Sequence, residues 1–468
     1  MRSSVPPTGQ DGLPGPQRLR AVLVIMLGLI VSVLDGTIMN LALPAIARDL
    51  NASAAHSIWV VNAYQIATLA LLLPLANLGD LLGYRRVYLA GMALFSAASL
   101  TAMLAPSLGV LIAARALQGV GAAGIMSVNS ALVRSVYPAS QLGRGVALNS
   151  MVVATASVAG PSLSAAILSV ATWPWLLALN VPLGILVLVL GWRTLPGNPT
   201  AAAEGARIAP LDVLLNMLMF SLVFVGADRL GVVSGSGGPV PRDGLALLAG
   251  GIAVGVLYIY RQRHRVAPLF PVDLLRIPVF ALSMCGSVCA FCAQMLTYVA
   301  LPFLLLESYG FTPLKAGVLI SAWPLSIVVV APLAGRLIGR IPAGLLGGIG
   351  MALLAAGLVL LAMLPPSPSD ANIAWRMALC GFGFGLFQSP NNHTIVTTAP
   401  RERSGAASGM LGSARLTGQT VGAVLVAYMF SVWPPHDSAR GPTIALSVGA
   451  FCALAAGIFS VLRVKKMS

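Results

Sequence analysis

Long apolar segments recur along almost the whole chain and leave only short polar loops between them. A helix needs roughly 20 apolar residues to cross a bilayer, and each segment approaches that length. With 57% hydrophobic and only 9% charged residues, the composition excludes the ordinary soluble classes. The sequence therefore predicts an all-α polytopic membrane protein with fourteen spans, at residues 21–43, 58–77, 86–105, 109–133, 146–170, 175–194, 211–229, 244–262, 279–305, 316–338, 344–364, 373–395, 409–432 and 442–463.

Positive charge is concentrated in particular loops. The chain carries 28 Lys and Arg residues and a net charge of +15, which in a soluble protein would suggest nucleic-acid binding. Most of these cations fall in loops and tails that share one side of the membrane when the N-terminus is placed inside the cell, as the positive-inside rule requires. We therefore expect cytoplasmic N- and C-termini and no nucleic-acid partner.

Two short motifs occur twice and divide the chain into related halves. Gly79–Gly83 resembles Gly335–Gly339, and Pro138–Gly143 resembles Pro400–Gly405. Because the repeats lie further apart than half the chain, about two helices must separate the halves, and parallel six-helix repeats are typical of one class of transporter. The predicted organisation is a disordered cytoplasmic tail (1–20), an N-terminal six-helix bundle (21–195), a linker with two inserted helices (196–278), a C-terminal six-helix bundle (279–463) and a tail (464–468).

Three charged residues stand out inside apolar segments, Asp35 in the first, Arg115 in the fourth and Arg415 in the thirteenth. A charge at that depth is costly and faces a bundle interior or a watery cavity. The carboxyl can hold a proton instead of a charge, whereas an arginine cannot give up its proton. We expect Asp35 to be a buried, titrating acid and Arg115 to need a carboxylate, a carbonyl or water. The alternatives are an Asp at a helix end and an Arg that reaches the membrane interface.

A loop and a kinked helix are candidates for gating. The loop Gly79–Arg86 contains glycines that permit a tight turn, an acid that can cap a helix or pair with a cation, and arginines that hold the loop in the cytoplasm. An ordinary positive-inside turn is the alternative. In the fifth segment a proline bends the helix among small residues, which suits a close contact between the halves. The candidates are Asp80, Gly83, Arg85, Arg86, Gly160 and Pro161.

Aromatic and amide side chains on the inner segments predict a broad apolar pocket with a few polar anchors, of the kind that binds bulky apolar solutes. Ordinary helix packing is the alternative for each of them. Glu307 and Asp228 lie near outer helix ends, where a solvated position is the alternative to a role in transport. The substrate-binding candidates are Asp35, Tyr64, Gln294, Tyr298, Glu307, Trp323, Gln388 and Asn391.

The five cysteines all fall inside apolar segments, so no disulfide framework is indicated. Cys285, Cys289 and Cys292 share a helical face, but we favour packing between helices over a soft-metal site. We expect no metal and no cofactor, and the lack of a phosphate-binding Walker loop in the sequence argues against a built-in ATPase.

Taken together and in order, these motifs resemble the major facilitator superfamily, and specifically its fourteen-helix drug:proton antiporter family, over essentially the whole chain after the tail. The chain departs from the family pattern at Ala76, Leu81 and Tyr84 in the second-segment loop, and at Ala156, Ser164 and Ala165 in the antiporter motif. The residues that match are Leu34, Asp35, Thr37, Asn40, Ala42, Leu43, Pro44, Trp59, Tyr64, Arg115, Gln118, Gly119, Gly121, Ala122, Gly160, Pro161, Trp173, Trp175, Asn180, Val181, Pro182, Gly184, Pro390, Asn391, Gly405, Ser408, Gly409 and Arg415.

The resemblance implies a monomeric, proton-driven exporter in the inner membrane of a bacterial cell. Its expected partners are amphipathic small molecules, cationic or neutral drugs and biocides, together with protons and membrane lipid. Asp35 and Arg115 would couple transport to protons, and Arg415 would join the gating residues. The proton motive force would supply the energy for transport, and no cofactor is expected. The alternatives are a dedicated exporter of a metabolite or self-made antibiotic, and a non-transporting membrane receptor or enzyme.

Overall fold

The computed structural model describes residues 12–138, 141–197, 210–234, 242–263, 271–338, 340–399, 404–434 and 439–464. Within these ranges the chain is helical apart from loops and one isolated β-bridge. A 3₁₀ turn (Leu274–Arg276) and a π-helical turn (Leu304–Ser308) accompany the α-helices. The helices are α1 (Gly15–Asp49), α2 (Ala54–Ser57), α3 (Trp59–Leu82), α4 (Tyr84–Met103), α5 (Leu108–Val136), α6 (Leu142–Val170), α7 (Pro174–Ala178), α8 (Asn180–Thr194), α9 (Pro210–Ser234), α10 (Arg242–Gln262), α11 (Pro278–Phe303), α12 (Pro313–Ile320), α13 (Ala322–Leu337), α14 (Ala343–Ala362), α15 (Asp370–Thr398), α16 (Ser404–Val432) and α17 (Arg440–Leu462).

The all-α prediction is confirmed. When the short breaks between α2 and α3, α7 and α8, and α12 and α13 are joined, the helical segments occupy the fourteen predicted positions. Eleven helical segments of the described chain are long and apolar enough to cross a membrane. The remaining ones are α6, α15 and α16. In α15 the run from Gln388 to His393 is polar, as a bundle interior allows. The number of crossings and the side on which the termini lie remain predictions.

The first helix begins earlier than predicted. Residues 1–20 were expected to be a disordered tail, but α1 starts at Gly15, with Pro16 in its first turn, where the missing proline N–H costs nothing. Arg18 Nη1 donates to Gln141 Oε1 (3.1 Å), which ties this end of α1 to the start of α6. Residues 1–11, the linker residues 198–209, residues 465–468 and the repeat residues 139–140, Gly339 and 400–403 lie outside the described residues.

Two groups of helices pack mainly among themselves. In the first, α1 contacts α5, α6 and α8, while α5 also contacts α3 and α4. In the second, α11 contacts α15, α16 and α17, while α14 and α13 contact α15. We refer to α1–α8 as the first half and to α11–α17 as the second half. The predicted domain limits are close to these groups, but their exact positions remain predictions.

The halves meet closely near the end at which α1 terminates, here called the sealed end. A Cβ added to Gly317 of α12 would overlap Ala165 and lie 3.0 Å from the carbonyl oxygen of Pro161, both on α6. The hydroxyls of Ser162 and Ser321 lie 2.7 Å apart across the same contact. Small side chains therefore allow α6 and α12 to approach almost to backbone contact.

The inserted helices α9 and α10 form a hairpin against both halves. Helix α9 contacts α3 and α16, and the Asn216 side-chain amide donates to the carbonyl oxygen of Ala70 on α3 (2.6 Å). Asp212 of α9 is ion-paired with Arg261 of α10. Apolar side chains on α10, including Ile252, are exposed and can face lipid.

Candidate functional site

A buried ion pair joins α1 to α5. Arg115 Nη1 lies 2.6 Å from Asp35 Oδ2, and both residues have 0% relative exposure. Arg115 Nη1 also donates to Gln118 Oε1 (2.6 Å), and Nε donates to the carbonyl oxygen of Val60 on α3 (3.0 Å). The arginine is therefore held by a carboxylate, an amide and a backbone carbonyl, as a charge removed from water requires.

The second carboxylate oxygen of Asp35 is also occupied. Gln118 Nε2 donates to Oδ1 (2.9 Å), and Asn180 Nδ2 of α8 donates to the same oxygen (2.7 Å). Gln118 Nε2 further donates to Ser99 Oγ of α4 (2.8 Å). The Asp35 cluster (Asp35, Ser99, Arg115, Gln118 and Asn180) thus links α1, α4, α5 and α8, all in the first half.

Tyr64 closes the cluster on the α3 side. The guanidinium carbon of Arg115 lies 4.5 Å from the centroid of its ring, within the range of a cation–π contact. The Tyr64 hydroxyl donates to the carbonyl oxygen of Ser32 on α1 (3.1 Å). Because Tyr64 is 4% exposed and Asp35 is 0% exposed, neither presents a free surface to a substrate in this conformation.

Gly160 lets α6 approach α1 at Thr37, two residues from Asp35. A Cβ at Gly160 would overlap Thr37 Oγ1, which donates to the carbonyl oxygen of Leu34 (3.0 Å). Pro161, the next residue, is buried at the contact with α12. These two gating candidates therefore connect the helix that carries Asp35 to the seam between the halves.

Three of the substrate-binding candidates lie in the interior of the second half. The rings of Tyr298 and Trp323 pack edge to face at 5.4 Å, and Phe384 lies 6.0 Å from Trp323. Trp323 is 0% exposed, and Asn391 is 1% exposed. In this conformation these side chains lie in the packed core of the second half. The sequence alone does not distinguish a core position from a position that lines a pocket.

The other candidates are more accessible. Gln294 and Gln388 are half-buried. Glu307 lies at the sealed end, where its Oε1 is 3.6 Å from Nε of Arg48, so this ion pair spans the two halves. The side chain of Asp228 lies outside the described residues.

The loop Gly79–Arg86 is held by contacts that differ from the expected pairing of its acid with a cation. Asp80 accepts a hydrogen bond from the Tyr84 hydroxyl (2.7 Å), and Arg85 stacks over Trp192 at 5.6 Å. Among the described side chains no ion pair joins Asp80 to Arg85 or Arg86. Gly83 has φ of 102°, a left-handed conformation that glycine adopts without strain, so it provides the turn between α3 and α4.

Arg463 forms a second buried cluster that sequence reasoning missed, because the residue was assigned to a cytoplasmic loop. It is 1% exposed, and Nη1 donates to Asn391 Oδ1 (2.6 Å) and Ser283 Oγ (2.9 Å). Nη2 donates to Ser460 Oγ (2.6 Å), and Asn391 Nδ2 donates to Ser287 Oγ (2.7 Å). The Arg463 cluster joins α11, α15 and α17 through neutral oxygens. The feature of the sequence that could have revealed this cluster was the presence of serines and Asn391 within apolar segments.

The remaining candidates lie apart from these clusters. Arg415 is half-buried on α16, between the halves. Cys292 Sγ and Cys452 Sγ are 3.8 Å apart, and all five cysteines are free thiols. Within the described ranges no group of His, Cys, Asp or Glu has the geometry to hold a metal ion.

Comparison with known proteins agrees with this architecture. Residues 25–423 match the Major Facilitator Superfamily model. The chain is 50% identical over 460 residues, 98% of each protein, to an Escherichia coli K12 protein described as the uncharacterized transporter YebQ. It is 31% identical over 432 residues to the Mycobacterium tuberculosis (strain CDC 1551 / Oshkosh) multidrug resistance protein Stp, covering 90% of this chain and 78% of Stp.

Among solved structures, that of tetrameric PepTSo2 superposes with a TM-score of 0.66 at 16% identity, covering 96% of this chain and 99% of that one. A likeness at this low identity concerns the fold alone. The match of the family model over most of the chain, the transporter relatives and the helical architecture lead to one conclusion: the chain belongs to the Major Facilitator Superfamily and is a membrane transporter, not an enzyme.

Proposed function

We propose that the protein is a proton-coupled antiporter that exports amphipathic small molecules across the inner membrane by alternating access. The observation that carries this proposal is the Asp35–Arg115 pair, a titratable group buried at 0% exposure inside a membrane transporter. Ionisable residues inside membrane spans mark proton relays and substrate pathways. The name of the 31% identical relative Stp supports drugs as a substrate class.

A proton on Asp35 would act on several helices at once. It removes the negative charge 2.6 Å from Arg115 and leaves the guanidinium without a counter-ion. It also converts an oxygen that accepts from Gln118 or Asn180 into a group that can donate. Because the Asp35 cluster ties α1, α4, α5 and α8 together, its protonation state can bias their packing, as a conformational switch requires.

The contact at the sealed end supplies the element that would move. Gly160 and Pro161 connect α1 to α12, and the Arg48–Glu307 pair adds a polar bridge between the halves. Opening this end would separate those surfaces and expose the interior to the opposite side. One proton charge crossing 100 mV supplies roughly 2.3 kcal/mol for each cycle.

The test uses purified protein in liposomes with an imposed pH gradient. A pH-sensitive dye reports proton movement when amphipathic cations, neutral compounds and anions are added in turn. We expect the wild type to release protons with at least one compound and Asp35→Asn to behave like empty liposomes. Asp212→Asn is the matched control, because Asp212 is also buried and paired with an arginine but lies in the inserted hairpin.

Normal substrate-driven proton movement by Asp35→Asn, at equal protein density, would contradict the coupling role of Asp35. A wild type that moves substrate but no protons would contradict antiport itself.

A further inference from the structure

We infer that Arg415, with Gln65 and Asn62, forms the polar end of the substrate site between the halves, and that this end binds the anionic group of an amphipathic solute. The proposal deepens the proposed transport function by naming the charge of the substrate. It departs from the cationic or neutral compounds that the family resemblance implied.

The packing of α16 places Arg415 at the junction of α3 and α11. A Cβ at Gly412 would lie 3.4 Å from Leu72 of α3, and one at Gly418 would lie 2.9 Å from Cβ of Phe291 on α11. Arg415 is three residues from each, so at roughly 3.6 residues per turn its side chain leaves the helix between those two directions. It therefore projects toward the seam between the first and second halves.

Arg415 has no counter-ion among the described residues. No described side chain forms an ion pair or hydrogen bond with it, and its Nε is buried without a partner. An arginine cannot neutralise itself by losing a proton, and an unpaired charge inside a membrane protein is costly. The other interior arginines differ, since Arg115 has Asp35 and Arg463 has Asn391 and serines.

The Asp35 cluster does not offset this charge. Asp35 is paired with Arg115, so that pair is neutral as a unit. Tyr64 is also engaged within the first half, with its ring on the Arg115 guanidinium and its hydroxyl donating to the carbonyl oxygen of Ser32. The positive charge of Arg415 therefore faces the seam uncompensated by any described residue.

Two amides on α3 also have buried polar atoms without a described partner. Gln65 is 3% exposed, its Oε1 has no partner, and its Nε2 faces the sulfur of Met295 on α11 at 3.8 Å. Asn62, one turn earlier on α3, is 0% exposed and has no partner for either amide atom in the described chain. Buried polar groups without partners are destabilising, so the arrangement favours a state in which a ligand binds them.

The chemistry of these groups defines the ligand. The guanidinium of Arg415 binds carboxylate, sulfonate or phosphate oxygens, because these share its charge and geometry. The amides of Gln65 and Asn62 can both donate and accept. Leu72 of α3 and Phe291 of α11, which lie on either side of the direction in which Arg415 projects, would contact an apolar body. An amphipathic anion meets all three requirements.

The experiment compares two ions with the same alkyl chain and head groups of opposite charge, octanesulfonate and octyltrimethylammonium. Binding to the full chain in nanodiscs of zwitterionic lipid is measured by calorimetry, with empty nanodiscs subtracted. We expect the wild type to prefer the sulfonate by at least about tenfold. Arg415→Gln should abolish this preference by weakening the binding of the sulfonate alone, whereas Arg415→Lys should keep a preference for the anion.

Arg376→Gln is the matched control. Arg376 is also a half-buried arginine in a helix, but it contacts the Leu360 carbonyl and the Trp375 ring. The Arg376→Gln variant should bind both ions as the wild type does. Equal or tighter binding of octyltrimethylammonium by the wild type, unchanged octanesulfonate binding by Arg415→Gln, or binding of neither ion would overturn the assignment.

The two proposals fail separately. Loss of the anion preference alongside intact proton-driven transport would overturn only the Arg415 site. An intact preference without any proton coupling would overturn only the proposed antiport.

Discussion

Among the described residues, each half of the molecule contains one fully buried arginine, and the two are held in opposite ways. Arg115 in the first half faces the carboxylate of Asp35, whereas the described partners of Arg463 in the second half are serine, asparagine and backbone oxygens. A single proton can therefore remove the counter-ion of Arg115, whereas none of the described partners of Arg463 is an acid. Under the proposed proton coupling, the proton-sensitive contact therefore lies in the first half.

Removal of Arg115 should have the largest effect and tests the difference between the two clusters most directly. Arg115→Gln leaves Asp35 as an unpaired buried charge, and breaking such a pair costs about 3–5 kcal/mol of folding free energy. The combined variant Asp35→Asn with Arg115→Gln leaves two neutral side chains and should recover much of that loss. Thermal unfolding in detergent measures both variants. Additive losses in the double variant would show that the two side chains do not act as a pair.

Removal of Arg463 should have a smaller effect. Arg463→Gln keeps a side chain that can hydrogen bond Asn391 or Ser283 but loses the charge-assisted bonds, at a cost of about 1.5–3 kcal/mol. Because no described contact of Arg463 is titratable, we expect the same loss in acidic and alkaline buffer and no change in the proton coupling of transport. A pH-dependent loss in the unfolding midpoint would mean that the second half also contains a proton-sensitive site.

The smallest expected difference concerns two glycines at corresponding helix contacts. A Cβ at Gly418 would meet the backbone carbonyl of Val288 between α16 and α11, whereas the close contacts of one at Gly160 would be with the Thr37 side chain, its hydroxyl and its Cβ, between α6 and α1. Overpacking costs about 1–3 kcal/mol when the neighbour cannot move. Gly418→Ala should therefore destabilise more than Gly160→Ala, as judged by unfolding midpoints. Adding Thr37→Ala to Gly160→Ala should recover part of the lost stability. If it recovers none, the contact with Thr37 is not the cause of the loss.

The sequence predicted some of this chemistry because isolated charges stand out in apolar segments. Asp35 and Arg115 were identifiable in that way, and so was their need for partners, although their pairing with each other required the packing of α1 against α5. Arg463 was not identifiable, since an arginine at the end of a span is ordinarily solvated. Trp323 and Tyr298 could not be assigned to core or pocket, because nearly uniform hydropathy does not mark which face of a helix points inward.

The placement of the inserted hairpin has a consequence for the surrounding bilayer. Helix α9 is hydrogen-bonded to α3 through Asn216 and packs its Phe224 beside Leu416 of α16, so it covers the groove where the two halves adjoin laterally. An acyl chain moving sideways into that groove would first have to displace α9. On this flank the transporter is therefore screened from lipid by its own chain.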